Sequence, residues 1–339
     1  MRKDSKELQS KVILHPDFFR SIQEVQSTNV DILGRPDFSN VNINDYVPSG
    51  VFEIIGNNIE SIKCIPEKGR EYIQSNIISG YDESKLKYQT LQGSADFISH
   101  TLMVFAGKNY VPVSTLTFYF YTKSKELSDR FDTIQYSEDI NSLANYHYVT
   151  DRNKLLKEYS VKDSIVFIDG PLIGGNISSY NTALVDALHK KNVIPIFIVK
   201  NSDSSLITDN VNDLKFKYNS DLHWSYKFLN EGQRTNFFRY TDSVNPKNSK
   251  VYFYLKALNS SPQRIELHSS TFENLNGNID FISDLIYYLQ ILNGDKSNPQ
   301  IRPIYLAEKY CREVIKLSNT YKMIKESGLV PTMNQERFG

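Results

Sequence analysis

Ser164-Ile-Val-Phe-Ile-Asp-Gly-Pro-Leu172 is the stretch on which the reading of the fold turns. Ile165 to Ile168 are strand formers, and the run ends in an acid, Asp169, followed at once by Gly170 and Pro171. A continuous apolar run of this kind belongs to a strand covered on both faces, so the acid at its carboxyl end stands where the sheet opens onto a cleft. The rigid strand fixes the carboxylate oxygens, and the glycine leaves the approach open. Asp-Gly-Pro is also ordinary turn chemistry, with Asp closing a tight turn, and the local pattern alone leaves both readings open.

The flanking sequence adds weight to the first reading. Gly174, Gly175, Asn176 and Ser178-Ser179 make a polar loop with a helix-capping signal. Tyr180 to Lys191 is predicted as a helix, with Leu184, Ala187 and Leu188 at helical spacing and Lys190-Lys191 in its last turn. Val193 to Val199 is a second buried-type strand, followed by Lys200-Asn-Ser-Asp-Ser-Ser-Leu206. Strand, helix and strand of these lengths form a right-handed crossover, so Asp169 and Lys200 are expected to emerge at one edge of a parallel pair.

The chain has 339 residues, of which 40% are hydrophobic and 23% charged, values that fit a folded globular protein and argue against disorder. Cys64 and Cys311 lie far apart with no C-x-x-C spacing, which speaks for a reducing compartment and against a cysteine-held zinc. No apolar run reaches membrane-spanning length and the first residues lead into no signal-peptide core, so a cytoplasmic protein without a membrane partner is expected. Its 39 basic and 39 acidic residues cancel, so bulk charge announces no nucleic acid and a local patch would have to serve. Lys123 with Lys125 and Arg130, Arg234 with Arg239, and Arg302, Lys309, Arg312 and Lys316 are the candidate patches, each readable equally as a solvated face. The 22 tyrosines and 19 phenylalanines fall mostly in strand-like runs such as Thr117 to Tyr121 and Val251 to Tyr254. The six histidines show no metal-ligand spacing.

Along the chain, Val25 to Gly50 is rich in turn formers and predicts a loop or extended arm, and a helix is expected around Lys68 to Ile77. Strands are expected at Ile98 to Ala106 and Val111 to Thr122, joined by a short hairpin, and a helix at Tyr148 to Tyr159 leads into the Asp169 strand. Further strands are expected at Asn236 to Tyr240, Val251 to Ala257 and Arg264 to His268, and helices at Ile279 to Leu292 and Pro303 to Lys325. The organisation is an α/β mixed sheet with flanking helices: residues 1–82 as an N-terminal extension, 83–330 as the main domain and 331–339 as a loose tail.

Five landmarks in order resemble the NurA family, nucleases that partner HerA-type hexameric DNA translocases. Ile165 to Leu172 is similar to the family's strand ending in Asp-Gly-Ser-Leu. Val193 to Leu206 resembles its strand followed by a lysine and a serine-rich turn, here Lys200, Ser202, Ser204 and Ser205. Arg264-Ile-Glu-Leu267 resembles an Arg-x-Glu-Leu strand, Pro303 to Glu308 the opening of the last helix, and Leu91-Gln-Gly-Ser94 the place of a first Asp-Gly-Ser. The likeness runs from about Leu91 to Lys316. It implies an RNase H-like core and Mn²⁺- or Mg²⁺-dependent cleavage of DNA, usually by a homodimer working with a HerA-like ATPase in DNA end processing or defence against foreign DNA. Convergent carboxylates suit such hard cations.

On that resemblance the metal-holding and catalytic residues would be Asp169, Asp151 in place of a helix glutamate, and Glu308 in place of a final histidine, with Asp96 or Gln92 assisting. Lys200, Ser204, Gln92, Ser94 and Arg264 would touch DNA. Gln92 stands where the family has its first aspartate, and an amide lacks the negative charge that holds a divalent ion. Asp151 reads equally as a helix cap, Glu308 as a first-turn surface acid and Asp96 as a turn aspartate. Two readings follow: a working nuclease with a rebuilt site, or a decayed subunit that binds DNA and scaffolds the ATPase. A nucleotide-binding loop after Asp169 is the weakest, since the loop has neither G-x-G-x-x-G nor a Walker lysine.

Overall fold

The computed structural model describes residues 16–27, 33–38, 46–47, 49–56, 58–107, 109–174, 178–276, 279–296 and 298–332. Much of the arm expected between Val25 and Gly50, together with Gly175, Asn176 and the tail from residue 333, lies outside the described residues. The chain divides into two compact units, residues 1–35 and 36–339. Within the first, α1 (Phe18–Ser27) buries none of its side chains.

The second unit is built on one mixed sheet, 13-stranded among the described residues. Its strands are β1 (Tyr46–Val47), β2 (Gly50–Ile55), β3 (Ser61–Lys63), β4 (Ile78–Gln89), β5 (Ser94–Ala106), β6 (Asn109–Thr122), β7 (Ile134–Tyr136), β8 (Ile165–Asp169), β9 (Ile194–Val199), β10 (Gln233–Thr235), β11 (Phe237–Asp242), β12 (Ser249–Lys256) and β13 (Gln263–His268). Its helices are α2 (Pro66–Ser75), α3 (Lys125–Arg130), α4 (Ile140–Tyr159), α5 (Ser178–His189), α6 (Leu206–Asn210), α7 (Asp221–Phe228), α8 (Ser269–Asn274), α9 (Asp280–Asn293), α10 (Arg302–Leu317) and α11 (Thr320–Glu326). Across the sheet the order is β1-β2-β11-β12-β13-β9-β8-β4-β5-β6-β7, with β10 between β12 and β3. The three central strands β9, β8 and β4 run parallel, while β13 joins β9, and β5 joins β4, antiparallel.

The apolar run that opens the sequence reading is buried on both faces, as its composition requires. Ile165 and Phe167 pack with Ile196, Ile198, Ile265, Ile304 and Ala307 on the side of α9 and α10. Val166 and Ile168 pack with Leu155, Leu156, Leu184 and Leu188 on the side of α4 and α5. Each such side chain, fully buried, contributes about 1.5–3 kcal/mol.

The structure departs from the sequence expectations at identifiable places. A strand, β4, runs through the middle of the sheet from Ile78 to Gln89, so a boundary at residue 82 would fall inside it. Its stretch Asp82-Glu-Ser-Lys-Leu-Lys87 carries too many charges to read as a central strand. The last long helix breaks into α10 and α11 at Ser318-Asn319, where Asn319 takes a left-handed conformation with φ 52°. The helix before β8 begins at Ile140 rather than Tyr148, capped by the Asp139 carboxylate, which accepts from Ser142 N at 3.1 Å. Gly80 permits the close approach of α10 to β4: a Cβ there would lie 2.4 Å from the Pro303 carbonyl carbon and 2.6 Å from Ile304 N.

Candidate active site

Register brings two acids to one place. Tyr81 lies opposite Ile168 in the parallel β4–β8 pair, so the next residues, Asp82 and Asp169, sit side by side. They share the face on which α10 packs, because their neighbours Tyr81 and Ile168 belong to the opposite core. Gly170, with φ 104°, turns the chain away while its N–H donates to Ile198 O at 2.9 Å. Lys200 follows β9 by one residue and completes the cluster: its Nζ is 2.9 Å from Asp169 Oδ2 and 3.8 Å from Asp82 Oδ2. The crossover thus delivers Asp169 and Lys200 to one edge, as the sequence predicted.

The charges do not balance. Burial pushes the Asp82 carboxyl up to about 8, and neighbouring Asp169 adds to the rise against the pull of Lys200. Burial raises Asp169 as well, although Lys200 opposes it. Burial works against the Lys200 ammonium, but Asp169 and Asp82 outweigh it and its pKa rises. Two acids, one buried and one half-buried, share one ammonium, with Glu308 the next acid in electrostatic reach of both Asp169 and Lys200.

Below Asp82, on the other face, a second polar cluster supports the strand. Tyr148 of α4 donates to Glu83 Oε1 at 2.7 Å, and the Tyr81 hydroxyl meets His100 Nδ1 at 2.7 Å. Burial raises Glu83 and, with Arg152 adding to the effect, lowers His100 to about 4. On the backbone, Cys311 Sγ donates to Asp82 O at 3.0 Å, tying α10 to the strand at this residue.

The other residues singled out from sequence are distributed more widely. Glu308 lies on α10 at the rim, ion-paired with Arg312 one turn on. Asp151, on α4, accepts from the Tyr119 hydroxyl at 2.7 Å, and its neighbours are Tyr119, Tyr121 and His147. Asp96 is buried on β5, accepts from Ser94 Oγ at 2.8 Å and pairs with Lys85 at 2.7 Å. Because Asp96 lies opposite Lys87, five residues along β4 from Asp82, it stands roughly 17 Å from the site. Gln92 and Ser94 lie farther still, lining a polar groove of about 540 Å³ with Lys87, Lys123 and Asp139. The Gln92 side chain accepts from Val330 N at 3.1 Å.

Arg264 is buried rather than free to meet a ligand: it donates to Ser202 Oγ at 2.5 Å and pairs with Glu266 at 2.8 Å. Glu266, fully buried, also holds Lys250 at 2.5 Å and accepts from Leu172 N at 2.8 Å. This network fixes the loop behind Asp169 to β13. Ser204 donates to buried Asp221 at 3.0 Å. Of the basic patches, Arg234 is buried against Phe237 and Phe253 with its guanidinium on Asp280 and Ser283.

Sequence reasoning missed Asp82, Glu83 and Tyr148. Ile77-Ile-Ser-Gly-Tyr-Asp82 repeats the grammar of the Asp169 stretch, β-formers running into an acid, but the strand continues past its acid and the pattern is blurred. Asp82 and Asp169 are oxygen donors suited to a hard cation, and a cation there would oppose the burial and the Asp169 charge that push the Asp82 carboxyl up to about 8. The residues therefore fit a divalent ion in kind. Among the described residues no group of three or more Asp, Glu, His or Cys stands already arranged to hold one. The ammonium of Lys200 lies between the two acids instead.

Comparison with known proteins bears on the whole arrangement. The family model described as a NurA domain matches residues 112–307, from β6 into α10, and so leaves Asp82 outside it. Among solved structures, the NurA nuclease from Sulfolobus solfataricus is similar with a TM-score of 0.51 at 11% identity, over 92% of this chain and 98% of that chain. Endonuclease V from Bacillus subtilis gives a TM-score of 0.39 at 12% identity, over 78% of this chain and 88% of that one. A NurA bound to dAMP and manganese gives 0.37 at 9% identity, over 86% and 88%. No curated protein matches the chain. The family model covers more than half of the sequence and the mixed sheet is RNase H-like, so the chain belongs to the NurA domain family.

Proposed function

We propose that this chain is a metal-dependent nuclease that hydrolyses phosphodiesters of DNA, with its centre at Asp82, Asp169 and Lys200. The observation that supports it is the meeting of buried Asp82, within β4, and partly buried Asp169, at the end of the adjoining parallel β8, with one ammonium between them. Asp82 and Asp169 would hold Mn²⁺ or Mg²⁺, which when bound supplies an activated water and stabilises the leaving oxygen. Asp82 must first give up its proton. Lys200, once displaced from between the acids, would neutralise the scissile phosphate, and Glu308 at the rim would orient the attacking water. Asp151 and Asp96 lie apart from this cluster in the structure, and the reading gives them supporting roles, through Tyr119 and Lys85.

A groove of about 330 Å³ between β4 and α10 supports a nucleic-acid approach: Lys85, Arg312 and Lys316 line it beside Ser84 and Tyr88. Its lining residue Ser84 is two positions from Asp82, and Arg312 is one helical turn from Glu308. Arg264, Ser204, Gln92 and Ser94 serve in this reading as braces for the loops rather than as the main DNA contacts. Family membership is the support for a HerA-like hexameric ATPase as partner, for a homodimer and for a part in end processing or defence. Both cysteines are free and buried, in keeping with a cytoplasmic setting, and no helix among the described residues is long and apolar enough to cross a membrane.

One observation favours the second reading, a decayed subunit that binds DNA and scaffolds the ATPase. Lys200 fills the gap between the acids, and Arg312 engages Glu308. Incubating the purified chain with linear DNA and Mn²⁺ separates the two. Cleavage that disappears with Asp169→Ala supports the nuclease; no cleavage with any divalent ion, together with retained co-purification with a hexameric ATPase, supports the scaffold.

A further inference from the structure

Phe216 is the most exposed large apolar side chain among the described residues, 96% open to solvent. It stands in the turn between α6 and α7 with φ 63°. Four other non-glycine residues among those described take a left-handed φ, and all are Asn or Asp, whose short polar side chains tolerate it. A bulky ring tolerates it poorly, so the backbone is strained at a residue whose side chain gains nothing from burial. Among the described residues no aromatic ring meets Phe216; the Lys215 ammonium alone lies over it, 5.5 Å from the centroid. Strain kept at an exposed ring points to something outside the folded chain that uses the ring.

The turn around it is anchored. Val211, Leu214 and Tyr218 are buried on either side of the ring. Leu214 O accepts from Lys217 N at 3.0 Å and from Tyr218 N at 3.2 Å, which closes the backbone beneath Phe216. Asp221, fully buried, accepts from Ser204 Oγ, Ile207 N and Thr208 N and so ties the two ends of the excursion together. That excursion leaves the sheet after β9, the strand that delivers Lys200 to Asp169. Lys215 and Lys217 flank the ring, both exposed, and neither has an acid within 4 Å among the described residues. One acid in the turn, Asp213, stands against these two cations.

We propose that Phe216 is a stacking platform for an unpaired base of DNA, with Lys215 and Lys217 taking the phosphates on either side of that nucleotide. An aromatic face accepts any base, and ammoniums beside it meet the backbone, so the arrangement holds a single strand without regard to its sequence. Inside a duplex the base faces are already stacked on one another, and the ring has nothing to take. A protein partner with an apolar pocket would use the ring but has no need of the two ammoniums. The inference rests on the proposed reading of the chain as a DNA-cleaving enzyme and adds to it a residue that selects unpaired strand. It makes no use of the carboxylates.

The test uses the full chain in EDTA, so that binding is read without cleavage. Fluorescence anisotropy with labelled oligothymidylate is expected to show Phe216→Ala weakened about 10-fold or more and Phe216→Trp within a few-fold of wild type. A blunt duplex of the same length is expected to separate the three proteins by less than about 2-fold. With 2-aminopurine in the single strand, wild type is expected to quench the base's fluorescence and Phe216→Ala to leave it bright. Replacing both Lys215→Gln and Lys217→Gln is expected to lower the slope of log affinity against log salt by about 1.4. Phe216→Gly removes the ring and the strain together, so its melting temperature is expected to equal or exceed that of wild type while its single-strand affinity falls as in Phe216→Ala. Phe216→Ala binding the single strand as tightly as wild type overturns the proposal, including where that variant instead loses a co-purifying ATPase, which would make the ring a protein anchor. So does an equal loss on strand and duplex, or a lowered melting temperature in Phe216→Gly. Cleavage in Mn²⁺ by the same preparations keeps the questions apart: Phe216-dependent binding without cleavage removes the nuclease and keeps the platform, and cleavage with binding indifferent to Phe216 does the reverse.

Discussion

Asp82, Asp169 and Lys200 hold one another in a compromise in which a single ammonium serves two acids that burial has already made reluctant to ionise. Lys200→Met removes the only cation within 4 Å of either carboxylate among the described residues, and unfolding by urea at pH 8 is expected to show a loss of about 1–3 kcal/mol. Mn²⁺ is expected to restore part of that loss. A variant as stable as wild type, or one indifferent to Mn²⁺, would show that the lysine is a bystander.

His100 gives a second residue-level test. Its folded pKa of about 4 lies below the ordinary 6.5, so the neutral ring is favoured by folding. The resulting stability is complete above pH about 6.5 and is lost as pH falls toward 4, by about 3 kcal/mol in all. Asp82, raised to about 8, gains stability as pH falls through the same window, so the readout is the difference: wild type is expected to lose stability relative to His100→Asn between pH 6.5 and 4 in denaturant titrations. Parallel limbs for the two proteins would contradict the assignment.

At the scale of elements, β8, α5 and β9 were legible in the sequence because their chemistry is local: a run of buried-type residues, an apolar helical stripe, and an acid and a lysine at the strand ends. β4 was not, because what makes it a strand is its neighbours. Asp82 depends on Lys200, Glu83 on Tyr148 and Lys85 on Asp96, partners 118, 65 and 11 positions away in the chain. The resemblance therefore puts a first aspartate at the position of Gln92, at a hairpin tip, whereas Asp82 lies ten residues earlier. The Arg-x-Glu-Leu motif was visible, but its meaning is structural: Glu266 ties Leu172 N, Lys250 and Arg264 together beneath the Asp169 loop. Glu266→Gln leaves two buried cations short of a partner and is expected to cost about 3–5 kcal/mol in chemical denaturation. A loss under 1 kcal/mol would mean the network is relaxed or wet.

For the molecule as a whole, α10 covers one face of the sheet, crossing β4 at Gly80 with no room for a side chain and bringing Glu308 to the rim. The mixed-sheet class followed from the order of strands and helices, whereas the composition of the site followed only from where α10 and β4 lie. Gly80→Val is expected to force the two apart, lowering the melting temperature by several degrees for a cost of about 1–3 kcal/mol and weakening cleavage with it. The most direct test of the central claim is the rate of linear-DNA cleavage in Mn²⁺ by wild type, Asp82→Asn, Asp169→Asn and Asp96→Asn. The expected result is at least about a 100-fold loss for Asp82→Asn and for Asp169→Asn, with Asp96→Asn within a few-fold of wild type. Full activity in Asp82→Asn, or its abolition in Asp96→Asn alone, would contradict the placement of the site where β8 and β9 end beside Asp82 of β4.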